Sequence, residues 1–197
     1  MNEKRTFNKR FSSCQSSAAQ GFTLIELVIV MVIVAIGVAL AAPSYQDIIE
    51  RRHTTAKAES LAAFMAYARS EAVKRNKQVS VSVVRTSANE WCIGITDLTT
   101  ACNCKTDATQ CVVNGVEKTL TSATQTRSNM LTAPADTTFV FDPVRGTKIT
   151  ADLSDHTYVL QSDNGNWEIN VVVGATGRVR LCNDSASTKK IPGFESC

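Results

Sequence analysis

A single apolar run near the start of the chain constrains its fold more than any other feature. Residues 22–42 contain one charged side chain, Glu26, among 21 residues. At about 1.5 Å per residue, a helix of this length spans roughly 30 Å, the thickness of the hydrocarbon core of a bilayer. A carboxylate costs about 2.5–3.5 kcal/mol at the centre of a bilayer and less near its edge. The sequence therefore predicts a membrane-spanning helix with one acid close to its start. The cost of placing this carboxylate in the membrane suggests that Glu26 has a function.

The residues around the start of this run form a recognisable pattern. Gly21 precedes Phe22, Glu26 is the fifth residue counted from Phe22, and Pro43 is the twenty-second. This pattern resembles the prepilin signal of type IV pilins and type II secretion pseudopilins. The resemblance implies that a prepilin peptidase cleaves after Gly21 and that the new N-terminus, Phe22, is N-methylated, so that residues 1–21 are a removed leader. It also implies a helix that bends at Pro43 where it leaves the membrane.

An ordinary secretory signal peptide is the alternative interpretation. The chain begins with several basic residues, and Ala39, Leu40 and Ala41 fit a small-x-small cleavage site. However, the apolar run exceeds the roughly 7–15 residues usual for such a signal, and it contains Glu26. The mature N-terminus distinguishes the two interpretations, since it would be methylated Phe22 in one and Ala42 in the other.

The charge of the chain indicates orientation rather than a nucleic-acid partner. The net charge is +3, but the leader 1–21 holds four basic residues and one acid, Glu3. Without it, basic and acidic side chains balance. Because basic residues next to a membrane span stay cytoplasmic, we expect the head to face outward. With this orientation, the resemblance implies a single-pass protein of the bacterial inner membrane with its head in the periplasm, which later enters a pilus or pseudopilus fibre. The 197 residues leave room for one globular domain beyond the membrane segment.

The cysteine count predicts disulfides. Of seven cysteines, Cys14 lies in the leader and six lie on the outward side, namely Cys92, Cys102, Cys104, Cys111, Cys182 and Cys197. An even number in an oxidising compartment is typical of disulfide bonding, and six cysteines allow 15 pairings. The preferred set joins Cys182 to Cys197, with two local bridges among the other four. A zinc site built from Cys102, Cys104 and Cys111 is the alternative, although its spacing lacks a C-x-x-C pair.

The remaining chain predicts an α+β protein. Residues 43–77 are rich in alanine, a strong helix former, and a face suited to packing on a sheet recurs at Leu61, Phe64, Met65, Ala68 and Ala72. From residue 78 to residue 197 the period becomes two, and strands are predicted at Val79–Val84, Trp91–Thr96, Thr137–Phe141, Thr157–Gln161, Trp167–Val173 and Arg178–Cys182. One long N-terminal helix, membrane half 22–42 followed by amphipathic half 43–77, should therefore pack on an antiparallel, β-sandwich-like head, residues 78–197.

Turns and loops follow from local composition. Asp163–Asn166 and Asn114–Gly115 carry residues that favour tight hairpin turns. Residues 99–114 and 119–134 are polar and rich in Thr, Ala and Ser, so both are predicted as loops. No family pattern matches residues 97–135.

Two segments resemble the GspH/FimT group of minor pilins and pseudopilins. Residues 67–76 read YARSEAVKRN and lead into a strand, and residues 177–180 read GRVR near the C-terminus. The resemblance implies the pilin fold, other major and minor pilins as partners, and a low-copy subunit that helps to start assembly at the fibre tip. The group serves both the type IV pilus and the type II secretion pseudopilus, and the sequence does not separate the two.

The resemblance also implies a role for Glu26. In the family this acid is thought to meet the positive N-terminal amine of an adjacent subunit, which would remove two buried charges together and give register to apolar packing. The alternative is that Glu26 reaches the cytoplasmic interface without a partner, because it lies only four residues after Phe22.

DNA is the second candidate partner. Some FimT-like tip pilins bind DNA for uptake in transformation through a C-terminal Gly-Arg-x-Arg motif, which Arg178 and Arg180 match here; Lys189 and Lys190 follow. Alternation places Arg178 and Arg180 on one face of a strand, where they could contact successive phosphates. The alternative is an ordinary solvated strand face or a contact to the next tip subunit.

Catalysis, metal binding and cofactor binding have little support in the sequence. His53 and His156 are far apart, and neither lies in a recognised catalytic motif, so a surface role is expected for each. We therefore expect a substrate of a peptidase rather than an enzyme, without a cofactor.

Overall fold

The computed structural model describes residues 21–87, 89–98, 100–122, 130–133, 137–149, 154–187 and 189–197. Cys14 and most of the predicted leader lie outside these residues. A single helix, α1, extends over Leu24–Arg75. Its backbone is helical at Pro43, but the side chain of Pro43 lies outside the described part, so the predicted bend stays a prediction. The chain divides into two compact units, Met1–Pro43 and Ser44–Cys197.

In the first unit, the described side chains all face solvent. Residues 21–40 are all exposed, so the first half of α1 has exposed side chains on every side of the helix. Among the described residues, no single helix is long and apolar enough to cross a membrane, although Leu24–Leu40 and Tyr45–Arg75 could do so together as a broken span, by length and composition alone. The predicted membrane segment 22–42 therefore stays a prediction.

The described residues of the second unit form eleven strands, all paired antiparallel. They are β1 Val79–Ser87, β2 Glu90–Thr96, β3 Val112–Val113, β4 Val116–Glu117, β5 Thr119–Thr121, β6 Met130–Ala133, β7 Thr137–Phe141, β8 Lys148–Ile149, β9 His156–Gln161, β10 Glu168–Val173 and β11 Val179–Cys182. A five-stranded sheet has the order β5-β2-β1-β7-β8, a four-stranded sheet has the order β11-β10-β9-β6, and β3 pairs with β4. The predicted fold class is confirmed.

Both larger sheets share one hydrophobic core with the second half of α1. The helix buries Ala58, Leu61, Met65, Ala68 and Ala72, four of which lie on the face predicted from spacing, while Phe64 is partly buried. Alternate residues of β1, β7 and β10 meet this face, as expected for strands that cover a core on one side. The helix therefore serves as a support on which both sheets are positioned.

The turns follow the predicted chemistry, but the predicted loops are partly wrong. Asn114 and Gly115 have φ values of 56° and 73°, the left-handed conformation that a tight hairpin turn requires, and they connect β3 to β4. Residues 99–114 and 119–134 contain β3, β5 and β6 rather than loop alone. In particular, Thr119–Thr121 pairs with Cys92–Gly94 at the edge of the five-stranded sheet. Threonine is β-branched and suits a strand once an edge is available for pairing.

Candidate functional site

The first turn of α1 begins at a cap that the sequence prediction missed. The backbone N–H of Glu26 donates a hydrogen bond of 3.2 Å to the side-chain oxygen of Thr23, the residue before the helix. Thr23 and Glu26 have the S/T-x-x-E spacing of a capping box, which could have identified this helix start. A carboxylate in the first turn also interacts favourably with the positive end of the helix dipole. Glu26 thus has a local role in addition to any contact with a neighbour.

Beyond this cap, the first half of α1 presents an apolar surface all around the helix. Its large apolar side chains from Phe22 to Leu40 are between 44% and 84% exposed. Soluble proteins rarely expose contiguous apolar patches larger than a few hundred Å², and such patches mark membrane or protein contacts. This surface is suited to contact with lipid or with other apolar helices.

Three disulfides lie in the second unit, and they are the preferred set. Cys182 pairs with Cys197, while Cys92 pairs with Cys104 and Cys102 with Cys111. The sequence did not distinguish between the possible pairings of Cys92, Cys102, Cys104 and Cys111. All six thiols are in disulfides, so none is free to act as the thiolate ligand that the zinc alternative needs.

The two local disulfides pack against the side of β2 that faces away from the core. Cys92, Cys102, Cys104 and Cys111 form a separate buried cluster with Val84. A Cβ on Gly94 would lie 2.3 Å from the Sγ of Cys111 and 2.7 Å from that of Cys102. A glycine is therefore required in the middle of β2 so that the Cys102–Cys111 bridge can lie flat on the sheet.

The β10–β11 hairpin positions the two arginines of the GRVR segment. The N–H of Gly174 donates to the carbonyl oxygen of Arg178 at 2.9 Å, and the N–H of Gly177 donates to that of Gly174 at 2.9 Å. Gly177 has a φ of 74°, so the turn has the form of a three-residue hairpin loop closed by a glycine bulge. The glycine of this segment therefore shapes the turn.

Arg178 and Arg180 lie together on the surface, as predicted from alternation. Both are exposed, and both line a cavity of about 510 Å³ and a smaller one of about 230 Å³. Arg180 also forms an ion pair of 3.2 Å with Asp155. Exposed pairs of this kind contribute about 0–1 kcal/mol, so the guanidinium is available for exchange to another anion.

The two lysines of the predicted basic cluster have other contacts. The Nζ of Lys189 lies 5.2 Å from the centroid of the Trp167 ring and 3.6 Å from the Oδ1 of Asp47. The Nζ of Lys190 contacts the hydroxyl of Ser196 at 3.0 Å, and Ser196 lines the larger cavity beside the arginines. The structure therefore brings Arg178, Arg180 and Lys190 to one region and holds Lys189 against α1 and Trp167.

The histidines do not form a site. The Nδ1 of His156 lies 3.3 Å from the Nζ of Lys148, and its ring contacts Phe139 edge-on. His156 is thus partly buried rather than on the surface as expected. Within the described ranges, no three His, Cys, Asp or Glu side chains lie close enough to hold a metal ion.

These features define a protein of the pilin class. The first half of its long helix is apolar and exposed, with one acid in the first turn, and the second half supports a disulfide-bonded antiparallel head. The chain belongs to the GspH family, described as type II transport protein GspH, whose model matches residues 57–177. The prokaryotic N-terminal methylation motif matches residues 16–42.

Individual relatives match only a part of this chain. The type IV major alpha-pilin of Moraxella bovis is 51% identical over 47 residues, which cover 24% of this chain and 30% of that protein. A fimbrial protein of Pseudomonas aeruginosa is 38% identical over 82 residues, 42% of this chain and 52% of that protein. The chain thus spans about a third to a half of the length of these relatives.

Among solved structures, the type IV minor pilin FimU of Pseudomonas aeruginosa is similar in two crystal forms. The identity is 17% and the TM-score 0.47 in both, with 70% and 73% of this chain and 98% of FimU covered.

Proposed function

We propose that this protein is a minor pilin or pseudopilin that enters the inner membrane through residues 22–42 and assembles through α1 into a type IV pilus or a type II secretion pseudopilus. Prepilin peptidase would cleave after Gly21 and expose Phe22 for methylation. Its partners would be other major and minor subunits, and its place would be the fibre tip, where it helps to start assembly. It is a structural subunit and not an enzyme.

One observation carries this proposal. The first half of α1 has no polar face, since its large apolar side chains are exposed on every side of the helix from Phe22 to Leu40. Lipid tails can cover such a surface, and so can a bundle of similar helices, so apolar burial is retained when the subunit moves from membrane to fibre. Glu26 is the exception. An unpaired carboxylate among apolar helices is costly, and a positively charged partner would reduce that cost.

The mature N-terminus tests processing, and deletion phenotypes test the machine. Mass spectrometry of native protein from the membrane and from sheared fibres should find methylated Phe22 as the first residue. A chain that begins at Met1 or at Ala42 would contradict the proposal. In a strain that lacks the gene, loss of twitching motility with normal protein secretion would assign the type IV pilus, and the reverse would assign the pseudopilus.

A second candidate function is DNA binding at the tip. The observation that favours it is the pair of exposed guanidinium groups at Arg178 and Arg180, with Lys190 nearby. A gel shift at low salt with the fragment 44–197, which contains the entire core unit, should show a complex that Arg178→Gln/Arg180→Gln abolishes. Absence of a complex with the unsubstituted fragment would reject this function.

A further inference from the structure

The strand β11 is the edge of the four-stranded sheet, and its hydrogen-bond pattern shows which backbone groups face outward. Antiparallel partners alternate between hydrogen-bonded and non-hydrogen-bonded pairs. Because Gly174 bonds to Arg178, the pair formed by Val172 and Arg180 is hydrogen-bonded as well. The backbone groups of Arg178 and Arg180 therefore point towards β10, and those of Val179 and Leu181 point away from the sheet.

The C-terminal segment confirms this alternation and covers only one end of the edge. Asn183, the next residue of outward type, donates its N–H to the carbonyl oxygen of Glu195 at 2.7 Å and accepts from the N–H of Cys197 at 2.9 Å. Asn183 and Ser196 form a parallel bridge. Within the part of the chain that the structure describes, the outward N–H and C=O groups of Val179 and Leu181 have no backbone partner. Two consecutive outward positions of the edge are thus unpaired as far as the described residues go.

A cavity lies beside the Leu181 end of these positions. It has a volume of about 510 Å³ and is lined by residues of β11 and of the C-terminal segment, namely Arg178, Arg180, Leu181, Cys182 and residues 193–197. An added strand would run about 4.8 Å from β11 and advance about 3.3 Å per residue, so three or four residues would pair with Val179 and Leu181.

The charges beside the cavity indicate the side chains that such a strand would carry. Val179 and Leu181 pack against the core, so Arg178 and Arg180 project from the opposite face of the sheet. Arg178, Arg180 and one acidic side chain, Glu195, are among the lining residues. Because Asp155 already pairs with Arg180 at 3.2 Å, Arg178 is the main cation that an acidic partner would meet. On a neighbouring strand, acidic side chains opposite the arginines would form favourable cross-strand pairs.

We propose that the edge of β11 binds an extended, acidic segment of a partner protein, which adds to the four-stranded sheet as a further strand. The outward carbonyl oxygens of Val179 and Leu181 decide between this partner and DNA. A phosphate accepts hydrogen bonds from the arginines, but it cannot donate to a carbonyl, whereas a peptide backbone can satisfy both the N–H and the C=O groups. The contact is separate from the assembly surface of α1.

The test uses the full-length protein in detergent and a labelled heptapeptide in which aspartate alternates with valine. Fluorescence anisotropy should show saturable binding at low salt. Amide hydrogen exchange should slow at least about tenfold at Val179 and Leu181 in the complex, while the N–H of Arg180, which faces β10, keeps its rate. A peptide of the same sequence with N-methyl groups on alternate backbone nitrogens keeps the charge but loses the hydrogen bonds, and it should bind much more weakly.

Matched variants separate charge from fold. Arg178→Gln/Arg180→Gln should weaken peptide binding by about five- to tenfold, since each cross-strand charge pair has a modest effect. Arg52→Gln/Lys77→Gln removes two exposed cations elsewhere and should leave binding unchanged. Equal binding of the N-methylated peptide, no binding of either peptide, or preferential binding of a 20-base-pair duplex would overturn the proposal. A concentration-dependent dimer of the protein alone that the arginine substitutions abolish would assign the edge to a second copy and also overturn it.

Discussion

The carbonyl oxygen of Gly146 occupies the space that a side chain on Gly177 would need. A Cβ on Gly177 would lie 2.0 Å from this oxygen, to which the Nε of Arg69 donates a hydrogen bond of 2.9 Å. The end of α1, the turn before β8 and the β10–β11 turn therefore meet at one point. The two segments that resemble the GspH/FimT group, 67–76 and 177–180, are thus parts of one junction although they are a hundred residues apart.

Substitution at this junction should reduce the stability of the second unit. Gly177→Ala places a methyl group against Gly146 at a φ of 74°. The left-handed backbone costs roughly 1–2 kcal/mol and overpacking roughly 1–3 kcal/mol, so the free energy of unfolding should fall by about 2–5 kcal/mol. Urea unfolding of a fragment that begins at Ser44 measures the effect. Gly115→Ala is the matched control, because its φ is 73° and no atom lies within 4 Å of the added Cβ; it should lose only the backbone part. Equal losses in the two variants would contradict the steric account.

Local patterns in the sequence predicted the elements, whereas contacts between distant residues had to come from the structure. Alternation at Val79, Val81 and Val83 predicts a strand because the period of two is local. The strand at Thr119–Thr121 forms only because β2 offers an edge, which nothing in its own composition indicates. Lys189 follows Arg180 closely in sequence, yet it contacts Trp167, since the chain changes direction after Asn183. Proximity in sequence did suffice for Cys182 and Cys197, because both lie near the end of the chain.

The Cys182–Cys197 disulfide should stabilise the C-terminal segment on β11. The two cysteines are 15 residues apart, and closing a loop of that length in the unfolded chain stabilises a protein by about 3 kcal/mol. Cys182→Ala/Cys197→Ala should lower the free energy of unfolding by about that amount and speed amide exchange at Asn183, whose N–H bonds to Glu195. Urea unfolding of the unsubstituted protein with and without reductant checks the assignment. Because the reductant also opens the two other bridges, it should lower the free energy of unfolding by more than this double variant does. An unchanged unfolding midpoint in the variant would show that the packing of the segment alone holds it.

Tyr158 should make the folded head sensitive to alkaline pH. Burial raises the pKa of its hydroxyl to about 12 from 10.0 in the unfolded chain, although a hydrogen bond with Thr137 acts in the opposite direction. Between these two values the unfolded state has lost the proton that the folded state retains. Stability should therefore be unaffected below pH 10 and should fall as the pH rises towards 12, by about 3 kcal/mol in total at roughly 1.36 kcal/mol per pH unit. Urea unfolding at several alkaline pH values measures the slope, and Tyr158→Phe should remove this contribution. A Tyr158→Phe variant with the same slope would assign the loss to other groups.

Glu26 has two possible roles: its carboxylate can pair with the amine of a neighbouring subunit, and its backbone N–H takes part in the helix cap with Thr23. Paired substitutions separate these roles. Glu26→Ala and Glu26→Gln both remove the charge, and neither should prevent insertion in the membrane. Each should reduce incorporation into sheared fibres by at least about tenfold, since breaking a buried pair costs about 3–5 kcal/mol. Thr23→Ala removes the 3.2 Å hydrogen bond to the N–H of Glu26 and keeps the carboxylate, so it should cost only about 1 kcal/mol of helix stability and leave incorporation nearly normal. Immunoblots of membrane and fibre fractions from strains that carry each variant measure membrane insertion and incorporation into fibres. If Thr23→Ala lowered incorporation as much as Glu26→Gln, the cap and not the charge would control assembly, and wild-type incorporation of Glu26→Gln would reject the pairing.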